Sequence, residues 1–352
     1  MHPDWQRFLE ARGAHFADCD GVPCVTAFPG SDRTDGPELA DLSPLGLLRI
    51  DGPDAGRFFQ GYATCDVRDA AADRSTPGAL CTREGRTLAT YRLWGPPEAL
   101  VLRLHRALAV PVGDLLARYI VFSKAELEEA GDAVVGLGLA GEGADACVAE
   151  LCGRAPEENE VVTVDLEHGP CTAIRDRGTP ARYELWLDVR DAPGVWNRLE
   201  ARARPVPWSR WAAHRLRAGF VELSPRNAGE YVPQALNLQA SGMLSFTKGC
   251  YLGQEVVARM QYRGKLKKRL FRFAVDGLQR PLPLGTPVTV DGPDGKETGE
   301  VVAAACDEGR CEVLVVARID DAERPLFAAG HALVPEPLSY DVALPQAESA
   351  SG

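Results

Sequence analysis

The chain has 352 residues and a formal net charge of −11, with 45% hydrophobic and 25% charged residues. This composition is typical of a globular protein of two or three domains, and it excludes wholesale disorder and a generally basic nucleic-acid coat. No apolar run approaches the roughly 20 residues that span a bilayer, and the N-terminus lacks a signal-peptide pattern. We therefore expect a cytoplasmic protein without a membrane partner.

In chain order, apolar periodicity and turn signals predict mixed helices and strands up to about residue 270. The predicted elements are a helix over 4–14 capped by Asp4, a loop or short strand over 24–28, a strand over 45–50, a helix over 54–61 capped by Asp54, strands over 80–81 and 87–93 joined by a turn at 83–86, a strand over 100–104, a helix over 110–119, strands over 133–139 and 183–189, and a helix over 195–203. This alternation favours an α+β fold.

The composition changes near Phe271, where Val/Ala-rich segments are separated by Gly/Pro turns. Strands are predicted over 271–275, 287–290, 299–305 and 312–318, and strands this short and closely spaced favour a small antiparallel β-barrel. We therefore expect an α+β region over 1–270, a barrel over 271–340 and a loose polar tail over 341–352.

The ten cysteines include three pairs with four residues between the members: Cys19/Cys24, Cys147/Cys152 and Cys306/Cys311. None has the Cys-x2-Cys spacing of a zinc site, and no histidines cluster beside them, so no metal site is predicted. In a reducing compartment, most cysteines other than Cys250 are interpreted as small buried apolar side chains.

Residues 136–141 fit the dinucleotide-binding pattern G-x-G-x-x-G. That pattern needs an acidic residue about 20 positions further on, and Asp165 lies too far along. A glycine-rich strand that turns into a helix is the better interpretation.

The most informative segment is 248–255, Lys-Gly-Cys-Tyr-Leu-Gly-Gln-Glu, which precedes a predicted helix over 256–262. A thiol just before a helix lies near unpaired backbone N–H groups, and together with Lys248 these favour a thiolate at Cys250. Glu255 is a candidate general base, a hydrogen-bond acceptor or only a helix-stabilising carboxylate. The alternative is a well-packed loop with a buried cysteine.

Other polar and aromatic residues are candidates for ligand contact. Gln234, Asn237 and Gln239 can hydrogen-bond the edge of a ligand, whereas Trp208 and Trp211 either belong to the core or stack on a planar heterocycle.

Seven basic residues and no acidic one lie between positions 259 and 272: Arg259, Arg263, Lys265, Lys267, Lys268, Arg269 and Arg272. This run is either a solvated segment between domains or a surface for an anion such as polyglutamate, phosphate or RNA. Because only Tyr262 and Phe271 are interleaved with it, the sequence gives little support to specific RNA binding.

The stretch KGCYLGQEVVAR at 248–259 resembles the signature of the YgfZ folate-binding family, which is related to the aminomethyltransferase T-protein (GcvT) of glycine cleavage. Further similarities follow in the same order over most of residues 40–270, at 52–61, 64–67, 85–86, 119–124, 217–219 and 232–238.

This resemblance implies ferredoxin-like lobes around a central cavity, a C-terminal β-barrel, and binding of tetrahydrofolate or a one-carbon derivative in the cavity. It also implies support of iron–sulfur cluster assembly or repair, including for tRNA-modifying enzymes, with iron–sulfur client or assembly proteins as partners. The implied reactive residues are Cys250, Lys248 and Glu255, and the implied folate-binding residues are Trp211, Gln234, Asn237, Gln254, Arg259 and Tyr251.

Two positions depart from the related proteins. Leu45 stands where a second aromatic residue is expected, and Thr90 stands where the T-protein has an acidic residue in its hairpin strand. The alternative function, a folate-dependent aminomethyl or one-carbon transferase, is therefore the weaker one. A single reactive cysteine also cannot hold a four-thiolate cluster, so no permanently bound cluster is expected.

Overall fold

The structure is a computed structural model that describes residues 1–29, 36–307 and 309–342. Its α-helices are α1 (Pro3–Glu10), α2 (Ala55–Gln60), α3 (Ala109–Ile120), α4 (Ala144–Cys152), α5 (Ala192–Glu200), α6 (Trp208–Arg217) and α7 (Gln254–Tyr262).

The strands alternate with these helices and then follow one another without long helices. They are β1 (His15–Cys19), β2 (Val22–Ala27), β3 (Glu38–Asp41), β4 (Leu45–Asp51), β5 (Thr76–Cys81), β6 (Thr87–Trp94), β7 (Ala99–His105), β8 (Glu126–Glu129), β9 (Val134–Ala140), β10 (Val161–Asp165), β11 (Pro170–Asp176), β12 (Arg182–Asp188), β13 (Arg204–Val206), β14 (Lys268–Asp276), β15 (Pro287–Val290), β16 (Glu297–Asp307), β17 (Arg310–Arg318), β18 (Leu326–Ala328) and β19 (His331–Glu336).

Two sheets form the α+β part of the molecule. One has five antiparallel strands in the order β5-β6-β7-β4-β8, and its core includes the apolar faces of α2 and α3. The other has six strands in the order β10-β11-β12-β9-β3-β13, and α1, α4 and α5 pack on it. Strands β1 and β2 form a separate hairpin.

The first two glycines of the G-x-G-x-x-G pattern, Gly136 and Gly138, lie on β9, a central strand paired antiparallel with β12 and β3. A Cβ atom on Gly136 would come 2.7 Å from the ring of Trp186, and one on Gly138 would come 2.7 Å from the ring of Trp211. These glycines therefore make room for two tryptophans that join both sheets in one apolar cluster. The interpretation as a glycine-rich strand that leads into a helix is confirmed.

The C-terminal part is a closed barrel with the strand order β14-β17-β16-β15-β18-β19. Helix α6 of the α+β part packs against β16 and β17. Glu312 on β17 is almost fully buried and accepts hydrogen bonds from Arg217 at the end of α6 and from Arg272 on β14. The α+β class and the C-terminal antiparallel barrel predicted from the sequence are confirmed. The division at 270 and 340 stays a prediction, and residues 343–352 of the predicted tail lie outside the described residues.

The first helix differs from the prediction at both ends. It ends at Glu10 because Gly13 takes a positive φ of 79° and turns the chain, and its N-terminal cap is the His2 side chain, which accepts from the Asp4 amide. Asp54 precedes α2 but makes no capping hydrogen bond. Its carboxylate instead accepts from the backbone N–H of Lys124.

The prediction of buried free cysteines, which excepted Cys250, holds for the five other free thiols and is wrong for two pairs. Cys65, Cys81, Cys147, Cys152 and Cys171 are buried free thiols, as expected. The pairs Cys19–Cys24 and Cys306–Cys311 form disulfides, because the members of each pair lie on neighbouring antiparallel strands.

Candidate functional site

A cleft lies between the two sheets and the chain that follows α6. Its space of about 280 Å³ includes volume open to solvent, and the enclosed part has room for about one water molecule. Its walls are formed by Pro77, Thr90, Tyr91, Arg92, Arg103, Asp176, Arg215, Phe220, Glu222 and Met243. The folate-binding cavity implied by the resemblance stays a prediction.

One side of the cleft is built around Asp176, which is almost fully buried at the end of β11. It pairs with Arg92 of β6 and with Arg182 of β12. Burial alone would raise the pKa of Asp176, but the neighbouring guanidinium groups outweigh burial and hold its pKa well below the usual range.

The other side is held by Arg103 and Arg215, which both pair with Glu184 and Glu222. Burial alone would lower the pKa of Arg103, but Glu184 and Glu222 raise it overall. Among the residues that line the cleft, three arginines meet two carboxylates, so its walls carry a net positive formal charge.

Two polar side chains of the cleft differ in whether their hydrogen-bonding groups have partners. The hydroxyl of Thr90 donates to the Val221 carbonyl and accepts from the Leu223 amide, so both of its roles are taken by backbone. Glu222 uses one carboxylate oxygen for its two arginines, while its Oε1 is buried without a hydrogen-bond partner among the described residues. Glu222 is thus an acceptor that remains available to a ligand.

The loop before α7 is held by Lys248. Its ammonium is buried and donates to the carbonyl oxygen of Gln60, the last residue of α2, at 2.7 Å, and to that of Ala63, in the chain just after the helix. It also lies 5.2 Å from the ring centre of Tyr251. Burial lowers the pKa of Lys248 to about 8. The ammonium is thus engaged by backbone carbonyls, and the expectation that a nearby Lys248 favours a thiolate at Cys250 stays a prediction.

Glycine fixes the contact between this loop and the turn of the β5–β6 hairpin. Gly253 takes a φ of 82° as the N-terminal cap of α7, and a Cβ there would come 2.3 Å from the carbonyl oxygen of Thr82. A Cβ on Gly85 would meet the side chain of Val256 at 2.8 Å. Close backbone approach therefore requires glycine at both positions.

Among the free cysteines of the described residues, Cys250 alone is exposed. The buried-cysteine alternative for position 250 is thus wrong. The thiol precedes α7 as predicted, but it is not among the residues that line the cleft. The structure therefore separates an exposed thiol on the surface loop from a polar cleft between the sheets.

The other candidates near Cys250 lie on α7 or beneath it. Glu255 and Arg259 are exposed and form an ion pair of 2.8 Å one helical turn apart. Gln254 is half-buried at the first position of α7. Tyr251 is buried with its hydroxyl unpaired among the described residues, and burial raises its pKa.

Three predicted folate contacts are buried elsewhere. The Gln234 side chain donates to the Val257 carbonyl in α7, and the Asn237 side chain donates to the Leu270 carbonyl in β14. Trp211 lies in the cluster between the sheets, against Gly138. None of the three lines the cleft, so their roles as folate contacts stay predictions.

One group of possible metal ligands occurs among the described residues, formed by Glu167, His168 and Asp191. The His168 ring nitrogen Nδ1 lies 2.8 Å from an Asp191 carboxylate oxygen. This hydrogen bond accounts for the arrangement without a metal ion.

Sequence reasoning missed the charged residues of the cleft. A signal was present, because Arg92, Arg103 and Glu184 lie inside otherwise apolar predicted strands. Charged side chains in such positions are almost never fully buried unless they are paired. The partners come from distant parts of the chain, so the sequence alone does not identify the pairs.

Comparison with known proteins identifies relatives that are similar in sequence over most of the chain. The tRNA-modifying protein YgfZ of Cronobacter sakazakii is 32% identical over 312 residues, which cover 86% of this chain and 93% of that protein. The protein of the same name from Escherichia coli strain K12 is 31% identical over 309 residues, with the same coverage. The chain belongs to the YgfZ family. No protein-family model matches the sequence.

The YgfZ family fold is shared with a solved aminomethyltransferase. Glycine cleavage system aminomethyltransferase T from Bartonella henselae superposes with a TM-score of 0.75 at 16% identity, over 95% of this chain and 96% of that one. This similarity confirms the GcvT-like fold. Among the helices of the described residues, none combines the length and apolar character needed to cross a membrane.

Proposed function

We propose that this protein binds a reduced folate in the cleft and supports, in the cytosol, the iron–sulfur enzymes that modify tRNA, with Cys250 as its reactive group. The observation that carries the proposal is the contrast among the free thiols. Five are buried, whereas Cys250 is exposed on a loop fixed by Lys248 and Gly253. Relatives named as tRNA-modifying proteins supply the process.

The cleft suits a tetrahydrofolate in charge and hydrogen bonding. The unpartnered Oε1 of Glu222 is an acceptor for the N–H groups on the edge of a pterin ring. The net positive charge of the walls suits the anionic glutamate tail of a folate. Once bound, folate supplies a carrier for a one-carbon unit.

The thiol of Cys250 is suited to reaction with a group on another protein. Its exposure gives a partner direct access, and it does not line the cleft. The chemistry that fits is attack on a one-carbon unit, transfer of sulfur or transient contact with a cluster. A single thiolate provides one of the four ligands that a cluster normally takes.

Two variants separate the two halves of this proposal. Tetrahydrofolate binding is measured by calorimetry, and tRNA thiolation is measured in cells that lack the endogenous protein. Glu222→Gln should weaken folate binding about tenfold or more, since a charge-assisted hydrogen bond contributes about 1.5–3 kcal/mol. Cys250→Ala should leave folate binding unchanged and abolish support of thiolation. Normal thiolation with Cys250→Ala would refute the reactive-thiol part, and equal folate affinity of wild type and Glu222→Gln would refute the proposed pocket.

The transferase alternative lacks a comparable observation. The hydroxyl of Thr90 is fully engaged with backbone groups, and Asp176, one of the two carboxylates that line the cleft, is paired with Arg92 and Arg182. Release of ammonia from an aminomethylated carrier protein in the presence of tetrahydrofolate would establish that activity.

A further inference from the structure

The end of α7 and the segment that follows it form an exposed basic surface. The α7 cationic surface consists of Tyr262, Arg263, Lys265, Lys267 and Lys268, all of them exposed. It connects α7 to β14, the first strand of the barrel. The sequence alone left this run undecided between a solvated segment and an anion-binding surface.

The structure divides the basic run into two groups. Arg259 pairs with Glu255, Arg272 pairs with Glu312, and Arg269 is half-buried over the ring of Phe271. The four cations of the α7 cationic surface instead form no ion pair with any described residue. Most exposed arginines in the described parts of the chain, such as Arg68 and Arg190, do have a carboxylate partner.

This local excess of charge stands out on a chain whose net charge is −11. Four unpaired cations within six residues of sequence retain their full attraction for an anion. The nearest acidic residues in the sequence are Glu255 and Asp276, and Glu255 is neutralised by Arg259. A polyanion is therefore the chemical class that fits.

Tyr262 adds an aromatic group to this surface. It is 70% exposed, although large aromatic side chains are usually buried. Phe246 meets it edge to face, with 6.0 Å between the ring centres, which supports the tyrosine ring on one side. An exposed, supported ring beside cations is the combination that binds single-stranded nucleic acid through base stacking and phosphate contacts.

We propose that the α7 cationic surface binds a single-stranded segment of RNA; the choice of a tRNA loop rests on the function proposed above. An acidic protein segment would pair with the cations, whereas a single strand of RNA would use both the cations and, through base stacking, the supported tyrosine ring. Helix α7 has nine residues, so it separates this surface from the Cys250 loop by only about 13 Å. Bound RNA would lie within reach of whatever protein contacts the thiol.

Binding is tested with the full-length protein by fluorescence anisotropy, using an unmodified tRNA transcript and a 12-nucleotide single strand. If four cations each neutralise one phosphate, log K should fall with log salt with a slope of about −2.8. Lys265→Gln/Lys267→Gln should lower affinity about tenfold and flatten the slope to about −1.4. Tyr262→Ala should lower affinity at least fivefold, since a stacked base contributes about 1–3 kcal/mol.

The matched control is Arg280→Gln/Lys296→Gln, which removes the same charge from exposed positions in the barrel. It should change affinity less than twofold. Equal losses in both double variants would overturn the proposal, as would absence of binding to either RNA. The proposal would also be overturned, in favour of an acidic protein partner, by two results together. These are an unchanged RNA affinity of Tyr262→Ala and complete displacement of the RNA by polyglutamate. Each variant is also titrated with tetrahydrofolate. Unchanged folate affinity shows that a loss of RNA binding does not arise from the cleft.

Discussion

The ammonium of Lys248 lies 2.7 Å from the carbonyl oxygen of Gln60 and also donates to the carbonyl of Ala63. Gln60 ends α2, and the C-terminal carbonyls of a helix lack intrahelical hydrogen-bond partners and carry partial negative charge. The Lys248 ammonium supplies Gln60 with a hydrogen-bond donor and a positive charge. Because Lys248 is two residues before Cys250, this contact fixes the loop that presents the thiol. Lys248 is thus a positioning residue.

The first prediction concerns the pH dependence of stability. Burial lowers the pKa of Lys248 from 10.5 to about 8. Between pH 8 and 10.5 the unfolded chain therefore binds more protons at this residue than the folded chain, so its contribution to the free energy of unfolding increases with pH. Lys248→Met should lose this contribution, as measured by urea unfolding across that range. Lys296→Met, at an exposed lysine, should behave as wild type. The same pH profile for wild type and Lys248→Met would contradict the burial of the ammonium.

The second prediction concerns thiol reactivity. One thiol of the native protein should react rapidly with a water-soluble disulfide reagent, because the other five free cysteines are buried. Cys250→Ala should remove the rapid phase and change the free energy of unfolding by no more than about 0.5 kcal/mol. Cys171→Ala, at a fully buried thiol, serves as the control and should retain the rapid phase. Rapid labelling that persists in Cys250→Ala would show that another thiol is accessible.

The third prediction concerns the charges in the cleft. Asp176→Asn should lower the free energy of unfolding by about 3–5 kcal/mol, because Arg92 and Arg182 lose their carboxylate in a buried environment. Urea unfolding measures the loss. Asp276→Asn removes an exposed carboxylate that pairs with Arg310 and should cost less than about 1 kcal/mol. Equal effects of the two substitutions would argue against a buried network.

The fourth prediction tests the glycines of β9. Gly138→Ala should destabilise the protein by about 1–3 kcal/mol, because its Cβ would clash with the Trp211 ring. Gly194→Ala in α5 has open space around the new methyl group and should stabilise by about 0.5–1 kcal/mol. Thermal unfolding should therefore shift in opposite directions for the two variants. A stabilised Gly138→Ala would mean that the ring has room to move.

The sequence predicts the fold well where local signals agree with the tertiary structure. The hairpin turn at 83–86, the helix α3 and four of the six barrel strands were predicted because alternation and turn residues act over short distances. Strand β13 was missed because it has only three residues and pairs with β3, more than 160 positions away. The disulfides were missed because cysteine spacing alone does not reveal which residues face each other across a turn.

The candidate site was predicted less completely. The exposure of Cys250 and the start of α7 agree with the motif, since a glycine-flanked turn before a helix is a local feature. The contact of Lys248 with α2 joins residues 188 positions apart in the sequence, so no local pattern contains it. The same reason hides Glu222, whose partners come from β7 and α6.

Glu312 has a consequence for how the protein can be studied. Its carboxylate accepts hydrogen bonds from Arg217 of the α+β part and from Arg272 of the barrel. In addition, the hydroxyls of Ser339 and Tyr340 donate to the carbonyls of Ala218 and Gly219. A fragment that stops before β14 would lose the counter-charge of Arg217 and uncover one side of α6. The two parts are therefore best regarded as a single cooperative unit, and shortened versions are poor substitutes for the intact molecule.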